Sequence, residues 1–382
     1  MAGIVKTLLS ISPTEATFAR RRFHFLRDSA RQRLERVGET FLRGYNLALA
    51  DQGIESLAER LNEIDFEFRG YGFEGAAMGL DILDQIQPWK ARRIDNFLHD
   101  SGKPHIYMVH VGVGWSMARW RLGMTRRLAH LDPLLQWLAL DGFGFHEGYF
   151  HWPRYAVGTL PPFTKLRGYG LRAFDQGLGR SLWFVGGVDP EYITSAILRF
   201  PKSRRNDLWS GIGLACTYTG GGDSGEVREL RRASGAHWPH IAQGAVFAAG
   251  ARHRAGNMAD QFYWDVSPDG SRIAVTLGEK AEKGLIRVLS LKGDHRRDVT
   301  VEDWRTFQSM DWSSDGKGWY VSSRSGSGAY LLYIDALHGG THLLRSQPGS
   351  FETWGIPSPD GRFLAFLEWS STGKVWMLEL KP

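Results

Sequence analysis

Along the first sixty residues Leu, Phe and Val recur at three- and four-residue steps among charged residues, the spacing of amphipathic helices. Ser12-Pro13-Thr14-Glu15 predicts a helix start, with Ser as cap, Pro just inside and Glu at the third position. Farther on, polar–glycine pairs recur inside apolar runs: FEGAAMG at 73–79, FHEGYF at 145–150, FDQGLGRSLWF at 174–184, LWSGIGLAC at 208–216 and IAQGAVFAA at 241–249. Gly177, Gly211 and Gly244 are 34 and 33 residues apart. Between them DPEYITSAILRF at 189–200 and DSGEVRELRRA at 223–233 each read as a capped helix between turns. The pattern predicts stacked helix hairpins with a period near that of tetratricopeptide-like repeats. Glu74, Glu147, Gln176, Ser210 and Gln243 each precede a glycine, so equivalent positions in successive hairpins are expected of them. Such a row would line a concave groove, or else bond across buried helices.

At Met258 the pattern changes to alternation. WDVSPDGSRIAV at 264–275, MDWSSDGKGWYV at 310–321 and GIPSPDGRFLAF at 355–366 align without gaps. Their turn residues Asp269, Asp315 and Asp360 are 46 and 45 apart, the period of a four-stranded propeller blade. Each unit reads as strand, Asp-Gly turn, strand, with positive φ expected across the pair. A further strand follows in each: LIRVLSL at 285–291, AYLLYID at 329–335 and KVWMLEL at 374–380. The expectation is therefore a multidomain α + β chain, with an all-α domain over 1–257 and about three antiparallel propeller blades over 258–382. Closed propellers have about four to eight blades, so this one is incomplete. Its open edges leave unpaired backbone groups that invite a protein partner.

Length agrees with two domains, since 382 residues exceed the usual single-core limit. The lone Cys216 excludes an intramolecular disulfide and suits a reducing cytoplasm. It sits in a Gly- and Ala-rich apolar run, where a buried filler competes with a nucleophile. No stretch approaches the ~18–20 apolar residues of a membrane span, and the N-terminus lacks a signal-peptide cleavage pattern. The net charge of +6 comes entirely from residues 1–257, whose arginines crowd from Arg20 to Arg43. Asp28, Glu35 and Glu39 interrupt that run and no aromatic-interleaved motif accompanies it, so a solvated helix face is expected rather than nucleic-acid binding.

Candidate chemistry concentrates in Asp141-Gly-Phe-Gly-Phe-His146-Glu147-Gly-Tyr-Phe-His151-Trp152. It offers acid–base groups and metal ligands in one short segment. The two histidines are five residues apart, which on a regular helix points them about 140° apart; no metal is assigned. Candidate catalytic groups are Glu147, His146 and Glu74; candidate substrate-binding groups are Gln176, Trp152, Gln243 and His151. HIYMVHVGVGW at 105–115 reads weakly as a strand and dinucleotide loop, but lacks the third glycine. Neither a nucleophile elbow nor a Walker lysine is present, and no cofactor is specified.

TFARRRF, FEGAAMGL, VHVGVGW, LDPLLQWLALDGFGFHEGYFHW, FDQGLGRSLWF, RRNDLWSGIGLACTYTGG and HIAQGAVFAAGARHRAGN closely resemble a bacterial domain-of-unknown-function family, the UnbL-like proteins, over about residues 14–257. Members accompany enediyne polyketide synthases, so the resemblance implies an accessory role in maturing a linear polyene. The S-P-D-G hairpins resemble TolB-type and tricorn-type repeats, related to WD repeats, over 258–382; in those families the turn aspartates are structural. Two function classes follow: a tailoring protein that binds a long polyene or fatty chain, and a scaffold that binds other proteins.

Overall fold

The structure is a computed structural model that describes residues 2–90, 92–121, 123–155, 166–257, 263–277, 283–290, 296–304, 306–325, 328–348, 352–369 and 374–379. Contacts divide the chain into two compact units, Met1–Met258 and Ala259–Pro382.

The first unit is built on seven long helices: α1 (Asp28–Ala48), α2 (Arg69–Ile86), α3 (Ile106–Arg119), α4 (Gln136–Tyr155), α5 (Gly168–Val185), α6 (Lys202–Thr219) and α7 (Trp238–Arg254). Each packs against the next in chain order. Short helices connect them, including Pro190–Leu198, capped by Asp189, and Ser224–Ser234, opened by an Asp223–Glu226 capping box. The sequence HIYMVHVGVGW lies within the 3₁₀ turn Lys103–His105 and α3, not in a strand. Ser12-Pro13-Thr14-Glu15 opens only a single 3₁₀ turn, Pro13–Ala16.

These are not antiparallel hairpins. Gly44 lies against Gly72 and, one turn farther along α1, Ala48 lies against Gly79. Likewise Gly144 meets Phe174 and Gly148 meets Ser181, while Asn206 bonds His237 and Tyr218 bonds Arg252. Partners advance together along both helices, so the long helices run in the same direction and the short segments carry the chain back.

The reason for the recurring glycines is now visible. Gly112 and Gly114, Gly142 and Gly144, Gly177 and Gly179, and Gly211 and Gly213 form a G-x-G pair in each of α3 to α6. On a helix, residues two apart point about 200° apart, onto opposite faces. The first glycine accordingly meets the preceding helix and the second the following one. A Cβ on any of these eight, or on Gly44, Gly75 or Gly244, would stand 1.8–2.1 Å from a carbonyl oxygen of the neighbouring backbone. Only glycine lets the backbones approach this closely.

The arginines of the 20–43 run are largely paired with carboxylates: Arg21 with Glu15, Arg27 with Glu226, Arg31 with Glu35, Arg33 with Glu67 and Arg36 with Asp65. Trp183, Trp209, Phe143 and Phe174 anchor the apolar core of this unit.

The second unit holds three antiparallel sheets. The first contains β1 (Trp264–Val266), β2 (Arg272–Leu277), β3 (Gly284–Ser290) and β4 (Arg296–Val301); the second β5 (Phe307–Trp312), β6 (Gly318–Ser325), β7 (Gly328–Asp335) and β8 (Thr341–Pro348). The third contains β9 (Glu352–Pro357), β10 (Phe363–Trp369) and β11 (Lys374–Glu379). In each, strands pair in chain order, and no sheet closes on itself among the described residues. Trp312, Trp319 and Ile286 centre one core cluster, Leu331, Leu364 and Phe366 another.

The Asp-Gly turns differ from the expected two-residue type. Only Gly270, Gly316 and Gly361 have positive φ, at 65°, 67° and 71°; the aspartates do not. Gly270 N donates to Ser267 O at 2.7 Å, closing a turn that begins at the serine. Asp269 accepts from Ser267 Oγ at 2.5 Å and from Ser271 N at 3.1 Å. Asp315 and Asp360 repeat both bonds, so each aspartate holds its turn through its side chain rather than through backbone tolerance.

Candidate functional site

The inner surfaces of all seven long helices face one pocket, which encloses about 1060 Å³ of empty space, part of it open to solvent. Its wall is mainly aliphatic and aromatic, with Phe41, Met78, Val111, Trp115, Phe145, Tyr149, Phe184 and Phe247 among the lining residues. Tyr71 Oη donates to Thr219 Oγ1 at 2.8 Å and the Tyr107 and Phe247 rings lie 5.4 Å apart, joining early helices to late ones around this space.

Charge enters the apolar wall at few places. Glu74, on α2, is buried and accepts from Trp115 Nε1 at 2.9 Å. Arg180, on α5, stands 3.9 Å from Glu74 and pairs directly with Asp141 on α4. Burial pushes the Glu74 carboxyl up to about 7, against the pull of Arg180 and the Trp115 hydrogen bond. A carboxyl poised there exchanges protons at neutral pH, in a cleft apolar enough to hold a hydrocarbon.

Of the residues singled out in the sequence, Glu74 and His146 line this pocket; Glu147, His151, Trp152, Gln176 and Gln243 are not among its lining residues. The row predicted from polar–glycine pairs exists but in another register. The member from α4 is Asp141, preceding Gly142, and not Glu147. Asp141 accepts from Gln176 at 3.0 Å, and Ser210 Oγ lies 3.2 Å from Gln176 Oε1 and 2.7 Å from Gln243 Oε1. These groups lie against one another across neighbouring helices, with the single Ser210 hydroxyl proton available to one glutamine oxygen at a time. Trp152 is buried beside Phe200, its ring centroid 6.4 Å away.

Glu147 belongs to a second constellation. Its fully buried carboxylate accepts from Arg121 at 2.8 Å and from Tyr155 Oη at 2.7 Å. Burial opposes its ionisation, but the adjoining His146, the Tyr155 hydrogen bond and the nearby charge of Arg121 hold it below the usual range. His146 Nδ1 lies 3.6 Å from Glu147 Oε1. Burial pushes His146 down despite that carboxylate, and burial likewise lowers the half-buried His151. The expected 140° separation of the two histidines does not hold. At His151 the backbone leaves the helix (φ −128°, ψ 26°), two residues before Pro153. A proline there cannot donate to Tyr149 and its ring crowds that carbonyl, which breaks the helix. The kink brings ligand atoms of His146, Glu147 and His151 within 4.8 Å of one another.

Sequence reasoning did not single out Arg180, Trp115 or Tyr71, and it noted Asp141 only as part of the 141–152 segment; the polar residue before the first glycine was the usable signal for Asp141. Cys216 is half-buried against the core, and burial pushes its thiol up to about 12, as a packing residue requires. No helix among the described residues is long and apolar enough to cross a membrane.

No curated protein matches the chain. Among solved structures, a protein of Bacteroides uniformis described as a candidate 6-phosphogluconolactonase is similar over 34% of this chain, at 16% identity and a TM-score of 0.25. The match takes in 40% of that protein, less than half its length. A family profile matches residues 1–269, the helical unit and the first strand beyond it. The chain therefore belongs to the family described as "Protein of unknown function (DUF1702)".

Proposed function

We propose that the helical unit binds one long apolar chain in its central pocket and acts as a tailoring protein in enediyne-type polyketide maturation. The observation that carries this reading is the pocket itself, an apolar space with the buried Glu74–Arg180–Asp141 network at its wall. Apolar linings with few polar groups are the common form of small-molecule sites. Glu74 would give and take a proton along the chain, with Trp115 and Arg180 fixing its carboxyl. Resemblance to proteins that accompany polyene synthases supplies the substrate class, a linear polyene. On the same reading the chain works in the cytoplasm, and its three sheets are TolB-like propeller blades.

Titration of the full chain with a fluorescent conjugated tetraene fatty acid tests the proposal. Saturable binding of one molecule per chain is expected, with loss of at least tenfold in affinity for Leu138→Trp, which fills the pocket from a partly buried position. Absence of saturable binding, or equal binding by a folded Leu138→Trp, would overturn it. The second reading, a protein-binding scaffold, is favoured by the three successive meander sheets; partner capture without chain binding would support it.

A further inference from the structure

His146, Glu147 and His151 form, among the described residues, the one group of three His, Cys, Asp or Glu side chains close enough to share an ion. We propose that they bind a divalent first-row transition metal, iron(II) or zinc, through two imidazoles and one carboxylate. The proposal does not depend on what fills the central pocket.

Three observations converge on it. The buried Nδ1 of His146 has no hydrogen-bond partner, although His146 is only 9% exposed and the nitrogen points toward Glu147 Oε1. A buried polar atom left without a partner costs roughly 1–3 kcal/mol, so the unpartnered Nδ1 calls for an explanation. A metal supplies one. With bonds of about 2.0–2.2 Å to nitrogen and oxygen, two ligands of a single ion lie about 3–3.6 Å apart, and the His146–Glu147 separation falls at that upper limit. The helix break at His151 is the second observation, because it turns a side chain that a regular helix would aim elsewhere toward the other two. The third is Tyr155, whose hydroxyl donates to Glu147 Oε2 at 2.7 Å. That bond orients the carboxylate while leaving Oε1 toward the histidines, the role outer partners play around metal ligands.

Arg121 is the competing charge, since it donates to Oε1 at 2.8 Å. Its side chain is 39% exposed, so a metal ion would compete with it for a carboxylate that is itself fully buried. Two imidazoles and one carboxylate leave coordination positions open, the arrangement of non-haem iron(II) sites and, with one position open, of hydrolytic zinc sites. His146 also lines the central pocket, which places the ion at its wall.

The test is isothermal titration of the ion-free full chain with zinc alone and, without oxygen, with iron(II) alone. One ion per chain is expected for at least one of the two metals. His151→Gln, chosen because His151 is only half-buried, should fold as the parent does and lose at least tenfold in affinity; Glu147→Gln should do the same. Arg121→Gln should bind several-fold more tightly, a gain that no purely structural role of these residues produces. The proposal is overturned if neither metal binds stoichiometrically, or if folded His151→Gln binds as tightly as the parent.

Discussion

Gly211→Ala sets two well-measured effects against each other. Alanine in a helix interior is favoured over glycine by about 1 kcal/mol, so propensity alone predicts a more stable protein. Packing predicts the opposite. The new Cβ would lie 2.0 Å from Gln176 O, 2.6 Å from Arg180 N and 2.9 Å from Gly179 C, where ordinary contact begins near 3.4 Å. All three are backbone atoms of α5, so no rotamer change relieves them and the two helices must part by about 1.4 Å along that contact. Overpacking usually costs about 1–3 kcal/mol, and a backbone-on-backbone clash belongs at the upper end. The net expectation is a loss of about 2 kcal/mol. Gly250, in α7, supplies the control, because nothing lies within 4 Å of its added Cβ. Gly250→Ala should gain about 0.5–1 kcal/mol. For a unit of this size 1 kcal/mol moves the melting temperature by about 2–4 °C. Circular dichroism of the helical signal should therefore show Gly211→Ala melting about 4–8 °C lower and Gly250→Ala about 1–4 °C higher. A Gly211→Ala protein that melts at or above the parent would refute the close-approach account of the glycine ladder.

Two further outcomes follow from titrating groups. Burial raises Glu74, so stability it contributes is present below its unfolded value of about 4.3 and lost as pH rises through about 7; Glu74→Gln should remove that loss, on the order of 3 kcal/mol, as measured by urea unfolding at pH 5 and pH 8. Equal pH dependence of the two proteins would show that Glu74 titrates normally. Asp315→Ala should lower the melting point of the sheet unit by an amount on the order of 1 kcal/mol, since it removes the acceptor of Ser313 Oγ and Lys317 N. Because those bonds hold Asp315 below its ordinary value, the same stability in the parent should fade as pH drops below about 4. An unchanged melting point would mean that Gly316 alone holds the turn.

The sheet repeats were legible because each hairpin carries its own marker. Ser267, Asp269 and Gly270 recur at fixed spacing, since the turn is a local structure made by local atoms. What spacing did not reveal was the backbone class, for an Asp-Gly pair serves turns with one positive φ as well as two. The helical unit was harder for a physical reason. Helices such as α3, buried all round, lose the polar stripe that marks an amphipathic helix, and HIYMVHV then looks like a strand. The glycine register was half visible. Gly177 and Gly211 are first members of their pairs and Gly244 meets the preceding helix in the same way, but in α4 the neighbouring Glu147-Gly148 was equally plausible as Asp141-Gly142. Only the contact of Gly142 with Val111 decides between them. The pocket was out of reach, because its wall is assembled from seven helices far apart in the chain, and so was the turn of His151 toward His146, which depends on a local break.

That the seven long helices share one direction also has an electrostatic consequence. Each helix acts as though about half a positive charge sat at its N-terminus and half a negative charge at its C-terminus. In a bundle of alternating helices these ends offset one another; here they accumulate, one end of the bundle positive and the other negative. Basic residues stand in the last turns of α3, α4 and α7, at Arg119, Arg154, Arg252 and Arg254, where they counter the negative end. The pocket between these helices consequently spans a gradient of potential along its length. A bound molecule with one charged end would meet unlike surroundings toward the two ends of the bundle.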